Sequence, residues 1–286
     1  MRWKGRKQST NIEDRRGSRG GSGRRSGGVK VGGIGFFILL LVYLFTGQEQ
    51  NLMDIVGSNT QLGGNQSATS HNNQANDEGK EFIAVVLKDT EDVWNPIFQK
   101  AGMRYQEPTV VLFENQVRSA CGLTSSATGP FYCPGDKKVY LDLGFFHQLS
   151  QMGVRGDFAQ AYVVAHEVGH HVQKLQGISD KVMLMQRQTT KKQANQLSVL
   201  LELQADCYAG IWARRQAEYR LLDDGDLEEA INAAGNIGDD RILQRAGPVV
   251  NPDSFTHGSS TQRMNWLKKG MLSGDPSSCD TFAALR

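Results

Sequence analysis

Residues 161–175 read AYVVAHEVGHHVQKL, an apolar run carrying two histidines four positions apart and a glutamate beside the first. The helical spacing of its apolar residues extends the pattern back to Phe158, and on a helix residues four apart share a face. His166 and His170 therefore present two imidazoles to one metal ion, with Glu167 flanking it. Zn²⁺ at such a pair lowers the pKa of its water toward ~7, and a neighbouring carboxylate takes the proton as the oxygen attacks a carbonyl. Val163, Val164, Val168 and Val172 keep bulk water away from the pair. Without a metal, two buried imidazoles and a carboxylate would be costly to satisfy. His171 is turned about 100° from His170 on the helix, so it reads as a packing or hydrogen-bonding residue rather than a third ligand.

A tetrahedral catalytic site needs a third protein ligand and one open position. The candidate is Glu202 in LLELQADCYAG, with Asp206 four residues on along the same face. Leu200, Leu201, Leu203, Ala205, Tyr208, Ile211 and Trp212 make that helix largely apolar, and an acidic pair in such a setting calls for a cation. Glu202 binds the metal in this reading, while Asp206 accepts the spare N–H of a ligand histidine and fixes its tautomer.

Working outward, TVVLF at Thr109–Phe113 and KVYLDL at Lys138–Leu143 are rich in β-formers and read as strands, separated by a Gly- and Ser-containing loop. The second strand is expected at a sheet edge, where an extended peptide substrate would pair with it. Phe82, Val85, Val86, Val93 and Trp94 form a helical stripe expected to stop before Asn95-Pro96, with a second short helix to Ala101-Gly102. After Gly144 the patterns are helical: Ser179–Gln188, Ala194–Arg220, Leu227–Ala234 and Ser260–Met271. The expected class is α+β, a mainly helical domain at residues 80–286 with a small β-sheet.

The N-terminal part differs in composition. Ten of the chain's 32 Lys and Arg lie in residues 1–30 against only Glu13 and Asp14, which leaves 22 basic and 28 acidic residues in the remainder. An acidic body argues against nucleic acid as a partner. Residues 31–48 carry no charge, and Ile34–Phe45 reads IGFFILLLVYLF. As a helix, 18 residues reach roughly 27 Å, close to the ~30 Å hydrocarbon core. The expectation is a basic cytoplasmic tail (1–30), one transmembrane helix (31–48), a flexible Asn/Gln/Ser/Gly linker (49–79) that includes a solvated His71, and the domain beyond it. By the positive-inside rule that domain lies outside an inner membrane, in the periplasm. A cleaved signal peptide is the alternative. All four cysteines follow the apolar segment and should pair in an oxidising compartment. Of three possible pairings, the short loop favours Cys121–Cys133, leaving Cys207–Cys279; four reduced thiols are the alternative.

HEVGHH followed by ELQAD resembles the gluzincin class of zinc peptidases, and more closely the bacterial neutral zinc metallopeptidases (YpfJ-like). The resemblance extends to the MRWKGR start, CG…GPFYCPGDKKVYLD, GDDRI and HGSSTQR. It implies a zincin-like fold, His166, His170 and Glu202 as Zn²⁺ ligands, Glu167 as general base and Asp206 as support for a ligand. A His, Tyr or Arg stabilises the oxyanion in gluzincins; His257 is the candidate here, with Tyr208 and Arg263 behind it. The expected function is a membrane-anchored peptidase that hydrolyses peptide bonds with a Glu-activated, zinc-bound water. The competing readings are a retired, membrane-tethered binding or scaffold protein and a cell-wall peptide amidase.

Overall fold

The computed structural model describes residues 1–17, 72–247 and 250–285. Its elements follow the order β1 (Ile12–Asp14), α1 (Asn72–Lys100), β2 (Thr109–Phe113), β3 (Gln116–Ser119), β4 (Gly122–Ser125), β5 (Phe131–Cys133) and β6 (Lys138–Asp142), followed by helices α2 (Gly144–Gln151), α3 (Asp157–Leu175), α4 (Ile178–Gln186), α5 (Lys191–Glu218), α6 (Asp226–Asn236), α7 (Asp239–Ala246) and α8 (Ser260–Ser273). The α+β class is as expected: helices dominate, and the sheets are small.

Helix α5 begins at a capping box in which Thr190 and Gln193 satisfy each other's backbone, and α8 begins at the equivalent Ser259–Gln262 box. Helix α3 ends where Gly177 takes a φ of 71°, which glycine adopts without a side-chain penalty. Helices α5 and α8 touch backbone to backbone through two glycines. A methyl group on Gly270 would lie 2.0 Å from the Cys207 carbonyl oxygen, and one on Gly210 would lie 2.1 Å from that of Leu267. Phe158 and Trp212, both fully buried, stack at 5.2 Å and join α3 to α5.

The main sheet has the order β1-β2-β6-β5, with β1, β2 and β6 parallel and β5 antiparallel to β6. The strand at Lys138–Asp142 is therefore internal, and the expectation that it forms a free edge is corrected. Both of its backbone edges are used, by β2 and by β5; the edge strand beside the helices is β5. The pair β3–β4 forms a separate hairpin.

Helix α1 runs through Pro96 to Lys100 instead of stopping before it. The Asn95 side chain bonds to the Glu91 carbonyl, and Trp94 and Phe98 are buried in edge contact, so packing holds the last turn together. The helix also begins at Asn72, inside the stretch expected to be linker.

The larger correction concerns the start of the chain. Residues 1–16 do not form a separate tail, because they pack on the body. Met1 and Trp3 are buried, Trp3 sits edge-on to Phe82, and β1 pairs with β2 in the register Ile12↔Val110. Arg6 pairs with the buried Asp89, and Ser9 and Asn11 reach Glu91. Glu13 lies 2.7 Å from Lys138, and Asp14 3.2 Å from Lys80. Of the cations that read as a free tail, Arg2, Lys4 and Arg6 pair with the distant acids Asp223, Glu78 and Asp89, while Arg15 and Arg16 pair with Glu13 and Asp14 beside them. The apolar segment 31–48 and His71 lie outside the described residues. Among the described residues no helix is long and apolar enough to cross a membrane.

Candidate metal centre

Helices α3 and α5 bring together the residues on which the sequence reading turned. His166 Nε2 lies 3.1 Å from Glu202 Oε2, and His170 Nε2 lies 3.3 Å from Glu202 Oε1. Ligand atoms of the three residues all fall within 4.8 Å of one another. Both imidazoles turn Nε2 inward because Nδ1 is occupied elsewhere: His166 Nδ1 donates to Asp206 Oδ1 at 2.8 Å, and His170 Nδ1 faces Gln173 Oε1 at 2.9 Å. This is the donor set, and the tautomer pattern, that suits a tetrahedral zinc site with a position left over.

Asp206 is fully buried and densely bonded. Arg263 donates to both of its oxygens at 2.9 and 3.0 Å, and the Tyr162 hydroxyl donates at 2.6 Å. Burial alone would raise this carboxyl, but Arg263 and His166 outweigh burial and hold it down at about 2. Burial disfavours charge on His166 as well; Asp206 and Glu202 nevertheless push it up to about 10. The cluster thus favours positive charge at its centre, which is what a divalent cation supplies.

Glu167 is buried next to this centre, and burial raises its carboxyl above the ordinary range despite the two histidines; the Tyr132 backbone N–H donates to it. His257 comes from the loop before α8. The carboxylate of Asp239 shapes that loop, with Oδ2 accepting from the backbone N–H of Thr256, His257 and Gly258 at 2.7, 2.7 and 3.0 Å. Its Oδ1 lies 3.0 Å from His257 Nδ1, leaving Nε2 as that ring's free nitrogen. The His257 imidazole is 44% exposed. Burial opposes its charge, but Asp239 and Glu202 raise it, and it lowers Glu202 in return.

Other candidates lie elsewhere. His171 is buried between the Tyr132 hydroxyl and the Gln106 carbonyl, and Tyr208 packs on Trp94 with its hydroxyl on Gln176. Arg263 serves Asp206 rather than the opening. The cysteines pair as favoured, Cys121 with Cys133 and Cys207 with Cys279. In a second acidic group, Asp157, Asp226 and Glu229, the two aspartates hold the Met1 ammonium at 2.7 and 3.3 Å, while Glu229 accepts from the Phe158 backbone N–H. The sequence reading missed Gln173, Tyr162 and Asp239. Gln173 and Tyr162 had a visible signal, since one follows His170 by three residues and the other precedes His166 by four on the same helix; Asp239 lay in the GDDRI segment, but its role was not read from it.

Over residues 1–282 the chain matches the family model described as "Putative neutral zinc metallopeptidase". The chain belongs to this family. The Escherichia coli (strain K12) protein named Uncharacterized protein YpfJ is 48% identical over 285 residues, covering 99% of each chain. The Mycobacterium tuberculosis (strain H37Rv) protein named Uncharacterized protein Rv2575 is 44% identical over 204 residues, covering 67% of each. No solved structure matches the chain. For this member of the zinc metallopeptidase family, the metal in the family's description and the donors gathered by α3 and α5 agree.

Proposed function

We propose that the protein is a zinc-dependent peptidase in which His166, His170 and Glu202 hold the metal. The observation that carries this reading is the convergence of both Nε2 atoms on the Glu202 carboxylate, with buried Glu167 alongside. Zinc held there supplies a Lewis acid that polarises a carbonyl and acidifies water. Glu167, buried beside the ligands with its carboxyl raised by that burial, takes the proton of the attacking water and returns it to the departing amine. His257, steadied through Nδ1 by Asp239, donates from Nε2 to the carbonyl oxygen as charge develops on it.

The substrate strand is proposed to add to β5. Its far edge is unpaired among the described residues, and Tyr132 in that strand already donates its N–H to Glu167. An extended peptide there would run past the base.

The test uses the full chain. Metal analysis should give one zinc per chain, and a peptide library should be cleaved. Glu167→Gln should keep the zinc and lose about 10²–10⁴-fold in turnover. Equal hydrolysis by that variant removes the base role, and absence of zinc removes the whole reading.

The two disulfides support an extracytoplasmic location. The arm and the body form one packed unit, so we place residues 1–16 on the same side of any membrane as the catalytic helices. Zero-length carbodiimide coupling in cells should join Lys138 to Glu13 and Lys80 to Asp14. Impermeant thiol labelling of cysteines placed at Lys7 and Lys192 on opposite sides of the membrane would defeat this placement.

A further inference from the structure

His166 is oriented by a charged cluster, but His170 is oriented by neutral amides alone, and these lead away from the site. Gln173, fully buried, offers its carbonyl oxygen to His170 Nδ1. Its amide nitrogen donates to the Leu201 carbonyl at 2.7 Å and to Gln204 Oε1 at 3.1 Å. The Gln204 amide nitrogen in turn donates to the Cys279 carbonyl at 3.0 Å. Cys279 is tied by its disulfide to Cys207, three residues beyond Gln204 on α5, and Thr281 is pinned to the Leu200 carbonyl at 2.7 Å.

This chain has a direction. A backbone carbonyl can only accept, so the Cys279 oxygen requires the nitrogen end of Gln204 to face it. The oxygen end of Gln204 then faces Gln173 and, together with the Leu201 carbonyl, requires that residue's nitrogen. The Gln173 oxygen is left for His170, which must carry a hydrogen on Nδ1. A neutral imidazole with Nδ1–H keeps its lone pair on Nε2, the atom that points at Glu202. Flipping either amide would set two donors or two acceptors against each other inside the protein, where no water compensates them.

We infer that the Leu201 carbonyl directly, and the Cys279 carbonyl, fixed by the Cys207–Cys279 bridge, through Gln204, together hold Gln173 so as to set which nitrogen of His170 is available to the metal. The C-terminal segment is thus part of the metal centre, and Gln173 and Gln204 are positioning residues. The inference rests on the zinc reading for its consequence, while the relay itself is a property of the chain.

The experiment measures Zn²⁺ affinity of the full chain by chelator competition, with Co²⁺ absorption reporting coordination geometry. Gln173→Met should weaken zinc by about 10–100-fold, the usual loss when a ligand's outer partner is removed. Gln204→Met, which leaves His170 and both disulfide sulfurs in place and removes one of the two acceptors that hold Gln173, should weaken it by about 10-fold. The double variant should resemble Gln173→Met alone, because the second link acts only through the first. Gln204→Glu still accepts from Gln173, so its zinc affinity should stay within about 3-fold even though stability drops. Folded Gln204→Met with unchanged affinity and Co²⁺ spectrum overturns the relay, as do additive losses in the double variant. Should Gln204→Met not fold, Gln173→Met and Gln204→Glu decide, with equal losses in both counting against a directional relay. If the native chain binds no zinc, the proposed function fails separately. The slowly exchanging His170 Nδ1–H in the metal-free protein, read by NMR, then decides the relay: its loss in Gln204→Met supports it, and its persistence there overturns it.

Discussion

Gly169 lies directly against Ala205: a methyl group on Gly169 would sit 3.0 Å from the Ala205 carbonyl oxygen and 3.1 Å from its Cα. The glycine of HEVGH is the point at which α3 meets α5. Its lack of a side chain lets Glu202 reach two histidines that precede and follow it.

Gly169→Ala should therefore push the helices apart by a few tenths of an ångström. Overpacking of this kind costs about 1–3 kcal/mol, and zinc affinity should fall together with stability. Denaturant unfolding and zinc competition on one preparation check both. Because α3 is helical at this position, alanine's higher helix propensity works in the opposite direction by about 1 kcal/mol, so a net gain in stability would show that the contact is slack.

Asp206→Asn leaves the buried Arg263 without its counter-charge. Breaking such a pair costs about 3–5 kcal/mol, and loss of the carboxylate behind His166 should weaken zinc by about 10–100-fold. Adding Arg263→Met should restore much of the stability but not the affinity. Calorimetry and zinc competition on the single and double variants separate the two roles of Asp206.

His257→Ala should lower turnover by about 10²–10³-fold through kcat, with zinc content unchanged. Asp239→Asn should have a smaller effect, since an amide oxygen still accepts from the loop while the partner of His257 Nδ1 is weakened. Steady-state kinetics of both variants, read as separate kcat and KM values, check the assignment. A loss confined to KM would mean that His257 binds substrate without assisting the transition state.

Acid should release the arm. Arg15 and Lys138 hold Glu13 down at about 2, and Arg16 lowers Asp14. A carboxylate with a depressed pKa in the folded state contributes stability that is complete above about 4.5 and disappears as the pH falls toward 2. Lys138 is the body's share of that contact, so Lys138→Met should move the release to higher pH. Hydrogen exchange of the Val110 amide, which donates to the Asn11 carbonyl, reports docking directly once corrected for intrinsic rates.

The chemistry was legible in the sequence where it depended on one helix at a time. His166 and His170 share a face because four residues make about one turn, and Glu202 and Asp206 do so for the same reason. Five helices after Gly144, α3, α4, α5, α6 and α8, were legible from their apolar spacing, whereas the eight-residue α2 and α7 were not read. Helix α1 was read too short because Pro96 signals a stop locally, whereas burial of Trp94 and Phe98 overrides it. The three-residue β1 was illegible: it is short and two of its residues are acidic, and only the strand Val110–Leu112 and the cations Lys138 and Lys80, far along the chain, give it partners.

The sequence by itself determined which side chains are capable of holding a metal, since helix periodicity is a local property and the ligand types are fixed by chemistry. The tertiary structure alone decided the rest: that α3 and α5 close on each other at Gly169 and Ala205, that Lys138–Asp142 is covered on both edges, and that the first sixteen residues join the body. Those outcomes depend on contacts between segments tens to hundreds of residues apart. Their free energy comes from burial and from pairing charges across space, and no local pattern in the chain records it.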